Sequence, residues 1–420
     1  MLTFAVLGFG ARGKNYTGLI KEMQEGGVVA VCDPNEVRLA LAKERHNIPD
    51  EMLFTDEDAF FAKGRLADMC IVSTQDAQHH DHAIKALNAG YDLLLEKPIA
   101  TNEADVLDIY YTAKRLGRAI YVCHVLRYAP FFTYLKKELD SGKYGRISTI
   151  NLTEHVGYWH QAHSFVRGNW RNSEGSSPMI VAKCCHDLDI LIWLMGDKVK
   201  TVSSQGSLRL FKPENRPEGA ADRCLDCKHK ETCAYSAYKY YVMRRFDTEK
   251  KLRWPLDVLV NGEITREKLM DALRDGPYGR CAFACDNDVV DHQVTNLLFE
   301  NGSTAHLTMT AFSYVSRRDI YVHCEYGEIS GSMADNKLHC LVFGDEQNEK
   351  VIDVNELSAE TSGYGHGGGD YFLIKDIIAA SNGEETEGLT SIENSVESHV
   401  VGFAAETSRT GEGELQRIKY

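Results

Sequence analysis

The chain has 420 residues, of which 47 are basic and 61 acidic, and 43% of its residues are hydrophobic. This length predicts about two or three globular domains, and the composition excludes wholesale disorder. The net charge of −14, without any lysine- or arginine-rich run, argues against nucleic acid as a partner. No run approaches about 18 consecutive apolar residues, so we expect no membrane span. The start has neither a basic region nor a cleavage site, which predicts a cytoplasmic protein without a signal peptide.

Strand and helix signals alternate in the first part of the chain. Short apolar runs predict strands at residues 3–7, 28–32, 69–73, 92–96 and 119–123. Helical patterns fall between most of them, at residues 11–25, 36–46, 81–88 and 103–116. This alternation is typical of βαβ units, so we expect an α/β fold with a doubly wound parallel sheet over residues 1–122.

The pattern changes in the second part of the chain. Helices are predicted at residues 130–141 and 180–194, and a long strand at 146–156. Strand-like runs follow at 201–210, 288–299, 303–311, 320–324, 328–333 and 337–343, with an Asn-Gly turn at Asn301 and Gly302. We therefore expect an α/β domain with a mostly antiparallel open sheet over residues 123–390, interrupted by an irregular insertion at about 213–285. Helices at 371–380 and 393–408 close the fold, and residues 391–420 form a C-terminal helix and tail.

A glycine-rich turn follows the first strand. Gly8, Gly10 and Gly13 fit the pattern G-x-G-x-x-G, which here opens a helix. The second strand ends at Asp33, 20 residues after Gly13. Such glycines let a pyrophosphate approach the helix N-terminus, and the acidic residue can bind the adenosine ribose. We predict an NAD(P)-binding Rossmann domain, with Ala11 and Arg12 also at the cofactor.

The choice between NAD and NADP depends on Asp33. Its negative charge favours NAD, because it would repel a 2′-phosphate. Arg12 and Arg38 are close enough in sequence to keep NADP open.

Several segments carry further motifs: the N-terminal fingerprint, Thr74 to His79 after the third strand, Glu96-Lys97-Pro98 after the fourth, Arg127-Tyr128-Ala129-Pro130, and His186 to Gly196. Together they resemble the Gfo/Idh/MocA family of sugar and polyol oxidoreductases. The resemblance covers nearly the whole chain outside the cysteine-bearing insertion. It implies that Thr74, His79, Glu96 and Lys97 contact the cofactor, and that the exposed sheet face forms a homodimer or homotetramer interface.

Lys97 and His186 are the predicted catalytic residues. A lysine at the carboxyl end of a strand in such a sheet lies where ligands bind, and it can stabilise a developing alkoxide. The resemblance implies that His186 binds substrate and transfers a proton, with an aspartate four residues earlier. Here that position is Ala182, and Lys183 stands beside it. We therefore expect Lys97, Lys183 and His186 to share the hydrogen bonding and proton transfer at the substrate. Lys183 and Asp189 should lie on the same helix face as His186.

The segment between the long strand and this helix is rich in histidine, aromatic and arginine side chains. Such residues suit a loop that stacks on sugar rings and binds hydroxyl groups or carboxylates. A second glycine-rich loop contains His366. The predicted substrate-binding residues are Arg127, His155, Tyr158, His163, Arg167, Trp170, Asp189 and His366.

The insertion contains Cys224, Cys227 and Cys233 in a C-x2-C-x5-C pattern. Thiolate pairs at this spacing match tetrahedral zinc. A fourth ligand must come from elsewhere; Cys281 is our choice, with Cys285 and His229 as alternatives. Unmetallated, reduced thiols are the other interpretation.

These observations favour an NAD(P)-dependent enzyme that oxidises a hydroxyl of a sugar, glycoside or polyol. An NAD-dependent glycosidase is an alternative: it would oxidise the sugar transiently, eliminate the aglycone and reduce the product again, without net redox change. A non-enzymatic nucleotide-sensing protein is the second alternative.

Overall fold

The structure is a computed structural model of the chain. It describes residues 1–419 except 346, 348, 362, 385, 387 and 388. These residues form two β-sheets, one of six strands and one of nine, with helices packed against both.

The six-stranded sheet has the order β3-β2-β1-β4-β5-β6, and all its described pairings are parallel. Its elements are β1 (Leu2–Leu7), α1 (Ala11–Met23), β2 (Gly26–Cys32), α2 (Glu36–His46), β3 (Leu53–Phe54), α3 (Glu57–Ala62), β4 (Met69–Val72), α4 (His79–Asn88), β5 (Asp92–Leu95), α5 (Glu103–Leu116) and β6 (Ile120–Val122). The predicted doubly wound parallel sheet is confirmed. The two-residue strand β3 and the short helix α3 were not predicted, because they are too short to show a period.

Local capping explains where these helices begin and end. The Asn35 side chain accepts a hydrogen bond from the N–H of Arg38 and starts α2. Asn102 does the same for the N–H of Asp105 at the start of α5, and Gly117 ends that helix at a φ of 60°. These caps align the strand ends that form the ligand-binding edge of the sheet.

The nine-stranded sheet has the order β14-β13-β12-β11-β7-β10-β9-β8-β15. Only the pairing of β7 with β10 is parallel among those described, so the predicted mostly antiparallel sheet is confirmed. The elements are α6 (Pro130–Asp140), β7 (Ile147–His155), α7 (Tyr158–His160), α8 (Met179–Ala182), α9 (Cys185–Met195), β8 (Val199–Ser207), α10 (Leu256–Leu259), α11 (Arg266–Asp275), β9 (His292–Phe299), β10 (Thr304–Thr310), β11 (Arg317–Cys324), β12 (Gly327–Ser332), β13 (Lys337–Val342), β14 (Lys350–Asp353), α12 (Val354–Leu357), α13 (Gly369–Ser381), α14 (Ile392–Thr410) and β15 (Gln416–Arg417).

Two parts of this region differ from the prediction. The helix expected over residues 180–194 is divided into α8 and α9, with Lys183 and Cys184 between them. The insertion contains α10, α11 and a π-helix at Tyr238–Thr248, where no helical period was recognised. A π-helix does not follow the 3.6-residue repeat, so its apolar positions do not match the α-helical pattern.

The C-terminal helices join the two halves of the chain. Leu373, Ile374, Ile377 and Ile378 of α13 belong to the same buried cluster as Phe4 and Val6 of β1. At the start of α13 the backbone packs so closely that a Cβ on Gly369 would lie 2.2 Å from the carbonyl oxygen of Val125. Helix α14 packs against α5 beside the six-stranded sheet and against α9 and β8 of the second half. It therefore contacts both halves of the chain.

Candidate active site

The turn after β1 is built for close approach of a ligand. Gly8 has a φ of 88°, and a Cβ there would lie 2.7 Å from the carbonyl oxygen of Ser73. A Cβ on Gly13 would lie 2.2 Å from the carbonyl oxygen of Gly8. Gly10 is the N-cap of α1, whose first turn has no acidic side chain. The turn thus leaves backbone N–H groups and a helix N-terminus open to an anion, which fits a dinucleotide pyrophosphate.

Asp33 is fixed at the end of β2. Its side chain is buried, at 2% exposure, and accepts hydrogen bonds from the N–H of Phe9 (2.8 Å) and of Asn35 (2.9 Å). The guanidinium of Arg38 lies 3.4 Å from Asp33 Oδ2. The carboxylate therefore lies beside the glycine turn, where an adenosine ribose would bind.

Glu96 joins the end of β5 to α1. It accepts hydrogen bonds from Arg12 Nε and the Tyr16 hydroxyl, both at 2.6 Å. Burial raises the pKa of Glu96, but the charges of Arg12 and Lys97 outweigh it and lower that pKa overall. Arg12 also binds Asp370 with two nitrogens, at 2.8 and 3.1 Å. Arg12 is thus held between two carboxylates at the ligand-binding edge.

His79 and Thr74 support the turn that carries Lys97. His79 is buried, and its Nδ1 lies 2.7 Å from the carbonyl oxygen of Pro98. Thr74 Oγ1 lies 2.9 Å from Nδ1 of His82. The Lys97–Pro98 peptide bond is cis. The contact of His79 with Pro98 holds the loop after β5 against the start of α4, and the Thr74–His82 contact fixes the segment after β4.

Lys97 reaches from this turn to the second half of the chain. Its Nζ donates a hydrogen bond to the carbonyl oxygen of Ala182, at 2.9 Å, and lies 5.7 Å from the centre of the Trp170 ring. Trp170 Nε1 in turn donates to Asp76, at 2.9 Å. The structure thus brings Lys97 and Trp170 together, at the contact between the two sheets' loops.

His186 lies in a group of histidines beside Lys97. Its ring centre is 5.7 Å from that of His124 and 6.2 Å from that of His366. His186 Nδ1 is buried and has no hydrogen-bond partner among the described residues. Burial lowers the pKa of His186 well below 6.5, and the charge of Lys97 adds to this. His186 is therefore neutral near neutral pH.

His366 is oriented by Asp370. Its Nδ1 lies 3.0 Å from Asp370 Oδ1, and its backbone has a φ of 54°. Burial alone would raise the pKa of Asp370, but Arg12 and His366 hold that pKa far below its usual range. Asp370 is thus an anion that links the second glycine-rich loop to the first turn of α1.

Lys183 forms an ion pair with Glu154. Because the chain breaks between α8 and α9, Lys183 Nζ lies 3.4 Å from Glu154 Oε1 on β7. Glu154 is buried and also pairs with Arg318, at 2.7 Å. Arg318 binds Asp187 as well, at 2.6 Å. The single helix face expected for these residues is therefore wrong for Lys183, which precedes α9, whereas His186 and Asp189 both lie on α9.

Glu154 and Arg318 were missed in the sequence. A signal for Glu154 was present: it shares the inward strand face of Ile150 and Leu152, where a charged residue is unusual. Burial raises the pKa of Asp187, although Arg318 opposes the shift.

Other predicted substrate residues lie in several places. Arg127 and Asp189 form a buried ion pair, with Nε and the second nitrogen at 2.7 and 2.6 Å from the two carboxylate oxygens. His155 lies on the opposite face of β7 from Glu154 and pairs with Asp319, at 2.9 Å. Tyr158 stacks on Tyr314, with ring centres 6.1 Å apart.

His163 and Arg167 lie within the packing of the insertion. Nδ1 of His163 is 2.7 Å from the Tyr241 hydroxyl. Arg167 donates to the carbonyl oxygens of Arg280 and Tyr235, both at 2.7 Å. The structure thus gathers Lys97, Trp170, His186 and His366, but it does not bring His163 or Arg167 to them.

We expect acid to weaken the fold through its buried histidines. Burial lowers the pKa of His163 to about 3, with Arg167 adding to the effect, and that of His399 to about 3, with His124 adding. Both are neutral when folded but take up a proton on unfolding below the ordinary value of 6.5. The stabilisation that comes from keeping these histidines neutral is complete above about pH 6.5. Between about pH 6.5 and 3 the free energy of unfolding falls by about 1.4 kcal/mol per pH unit for each histidine.

Urea unfolding at pH 7 and at pH 5 measures this loss. The variant His163→Asn should show a shallower decline than the wild type between the two pH values. An equal decline in both proteins would contradict the assignment of this proton to His163.

Two family models match the chain. The first, described as an oxidoreductase family NAD-binding Rossmann fold, matches residues 2–124, and the second, described as the oxidoreductase family C-terminal alpha/beta domain, matches residues 136–412. The fold and the glycine turn thus define an oxidoreductase with an NAD-binding domain. The chain belongs to the Gfo/Idh/MocA oxidoreductase family.

Curated relatives are distant. The putative oxidoreductase YteT of Bacillus subtilis is 24% identical over 361 residues, which is 84% of this chain and 82% of that protein. An inositol 2-dehydrogenase of Corynebacterium glutamicum is 28% identical over 209 residues, 48% of this chain and 56% of that protein. The chain therefore matches little more than half the length of that dehydrogenase.

Solved structures share the fold. Levoglucosan dehydrogenase in complex with NADH and levoglucosan has a TM-score of 0.72 at 16% identity, covering 100% of both chains. The WlbA dehydrogenase from Bordetella pertussis, in complex with NADH and UDP-GlcNAcA, has a TM-score of 0.70 at 16% identity and covers 100% of this chain and 98% of its own. Within the described residues, every helix is too short or too polar to cross a membrane.

Proposed function

We propose that the protein oxidises a hydroxyl group of a sugar, glycoside or polyol with NAD as the hydride acceptor. The observation that carries this proposal is the position of Lys97. It stands at the carboxyl end of β5, beside the neutral His186 and on the same sheet edge as the glycine turn. The names of the relatives, among them inositol and levoglucosan dehydrogenases, support this substrate class.

The residues around Lys97 account for the proton chemistry. Lys97 donates a hydrogen bond to the substrate oxygen and stabilises the charge that develops on it. His186 is the acceptor for the proton that leaves the hydroxyl group, because its buried Nδ1 has no hydrogen-bond partner among the described residues. NAD, when bound, accepts the hydride from the carbon that carried this group. Trp170, which packs near Lys97, gives a flat apolar surface for a sugar ring.

Asp33 makes NAD rather than NADP the preferred cofactor. We expect Asp33→Asn to weaken NAD binding and strengthen NADP binding, shifting the preference by about 10-fold, because the repulsion of a 2′-phosphate is removed. Titration of protein fluorescence with each dinucleotide measures the two dissociation constants.

Asp92→Asn is the matched control. Asp92 begins β5 at the opposite edge of the same sheet, where it accepts the N–H of Ala119. Its replacement should leave the ratio of the two constants unchanged. A preference that stays at the wild-type value in Asp33→Asn would contradict the role of Asp33.

A redox-neutral glycosidase is the second candidate. It must protonate a leaving aglycone as well as handle the oxidised hydroxyl, so it needs more than one acid-base group. The His366–Asp370 pair beside His186, together with Ala182 in place of the family's aspartate, favours this candidate.

Absorbance at 340 nm distinguishes these functions. Purified protein is mixed with NAD or NADP and a panel of sugars, polyols and aryl glycosides, while aglycone release is followed in parallel. A rise at 340 nm with one class of sugar supports the dehydrogenase and names its substrate. Aglycone release without net change at 340 nm supports the glycosidase. Silence in both channels with cofactor bound contradicts both and favours a nucleotide sensor.

The outer face of the nine-stranded sheet supports assembly with a second copy. Tyr321 on β11 and Val351 on β14 are 53% and 48% exposed, and Phe343 after β13 is 57% exposed. Exposed apolar patches of this kind mark protein interfaces. We therefore propose a homodimer or homotetramer, and a monomeric mass from light scattering would contradict it.

A further inference from the structure

Four cysteines of the insertion line one small cavity. Cys224, Cys227, Cys233 and Cys281 surround a space of about 20 Å³, which is room for one water-sized body. Cys224 and Cys281 are 57 positions apart in the sequence. They meet at this cavity because the neighbouring residues Arg223 and Arg280 form an antiparallel β-bridge. In this bridge the N–H of Cys224 bonds to Gly279, at 2.9 Å, and the N–H of Cys281 to Asp222, at 2.7 Å. The backbone thus holds the last cysteine beside the first.

Backbone N–H groups already point at two of these sulfur atoms. Cys227 accepts a hydrogen bond from the N–H of His229 and Cys224 from that of Ala237, both at 3.4 Å. Amide donors of this kind stabilise thiolates that bind a metal, because they take up part of the negative charge.

A buried arginine in the same place lacks an anion. Arg167 is 2% exposed, and it donates to carbonyl oxygens and, at 3.7 Å, to Cys224 Sγ. Among the residues that the structure describes, no carboxylate lies within ion-pair distance of it. A buried cation without a counter-charge is costly, so a negative group is expected next to it. Zinc with four thiolates carries a net charge of −2 and would supply that group.

We propose that Cys224, Cys227, Cys233 and Cys281 bind one structural zinc ion, with Arg167 as its buried counter-charge. Zn²⁺ displaces four thiol protons to solvent, and four Zn–S bonds form without any redox change. In the described part of the chain, no group of three or more histidine, cysteine or acidic side chains is already placed so that it could hold a metal ion. Binding therefore requires the four side chains to rotate from the cavity wall toward its centre.

The two alternative ligands have other partners. Cys285 Sγ donates to the carbonyl oxygen of Cys281, at 3.3 Å, and packs in a separate apolar cluster with Val166 and Phe211. His229 borders the cavity, but its Nε2 lies 3.0 Å from the carbonyl oxygen of Glu218. These contacts favour Cys281 as the fourth ligand.

The test is the metal content of the full-length protein. The chain is produced in zinc-supplemented medium, purified without chelators and analysed by plasma mass spectrometry. We expect about one zinc per chain, and less than about one tenth of that in Cys227→Ser and Cys281→Ser, because tetrahedral sites need all four ligands. Cys285→Ser is the matched control and should keep the full zinc content.

Two further measurements test the proposal even if the cysteine variants fail to fold. In the wild-type protein, cobalt exchanged for zinc should give the intense thiolate-to-cobalt absorption of a tetrahedral four-sulfur site. Arg167→Met should release zinc to a chelator at least tenfold faster than Arg167→Lys, which keeps the charge. Wild-type protein without metal, or with iron in its place, would overturn the proposal, as would full zinc content in Cys281→Ser.

Discussion

Replacing Lys97 by methionine is expected to lower kcat by about 10²–10³-fold, the range typical of losing a hydrogen-bond donor that stabilises a developing negative charge. Methionine keeps the length and apolar stem of the side chain but removes the charge and the hydrogen bond to Ala182. The loss should fall on kcat more than on KM, because the charge on the substrate oxygen develops only in the transition state. Steady-state kinetics with the substrate found at 340 nm measures both constants.

Lys63→Met is the control for this substitution. Lys63 is an exposed lysine at the end of α3, far along the chain from the strand that carries Lys97. Its replacement should leave kcat within about twofold, as is usual for a surface change. A Lys97→Met protein that keeps more than a tenth of the wild-type kcat would contradict the role of Lys97 in stabilising the charge on the substrate oxygen.

Asp189→Ala is expected to destabilise the protein by about 3–5 kcal/mol. The substitution leaves Arg127 buried without its partner, while the pair as it stands is bidentate and 1% and 7% exposed. The remaining bond of Arg127 to the carbonyl oxygen of Asn394 does not neutralise the charge. Urea unfolding at pH 7 measures the loss in the free energy of unfolding.

The double variant Arg127→Met with Asp189→Leu tests the cause. Removing both charges should recover much of the stability, because apolar side chains of similar volume avoid the buried, unpaired charge. Glu325→Ala is the comparison, since its partner Arg146 is 90% exposed and the pair should contribute far less. A double variant as unstable as Asp189→Ala would show that the pair acts through packing alone.

The cofactor turn could be predicted because its signals are local. Gly8, Gly13 and Asp33 lie within one βαβ unit, and the close approaches at both glycines require residues without a Cβ. The order of strands and helices in the first sheet followed from the period of their apolar residues. Lys97 was found through the resemblance to a family, since a lysine after a strand carries little signal alone.

The arrangement around Lys183 could not be predicted, since it depends on tertiary contacts. The carbonyl oxygen of Ala182 accepts the bond from Lys97, and the chain turns there before α9 begins. Glu154 and Arg318 meet Lys183 because β7 and β11 are neighbours in the sheet, although they are far apart in sequence. The local patterns of one sequence do not reveal which distant strands pair.

The packing of α13 has a consequence for the order in which the protein is made. The N-terminal sheet is synthesised first, yet the buried cluster on one of its faces, which includes residues of α1 and α2, is completed by Leu373, Ile374 and Ile377. A nascent chain that has completed β6 therefore still lacks the part of this cluster that α13 packs against α1. Domain-by-domain folding during translation, the usual route for chains of this size, is then completed in the N-terminal half only after α13 has been synthesised.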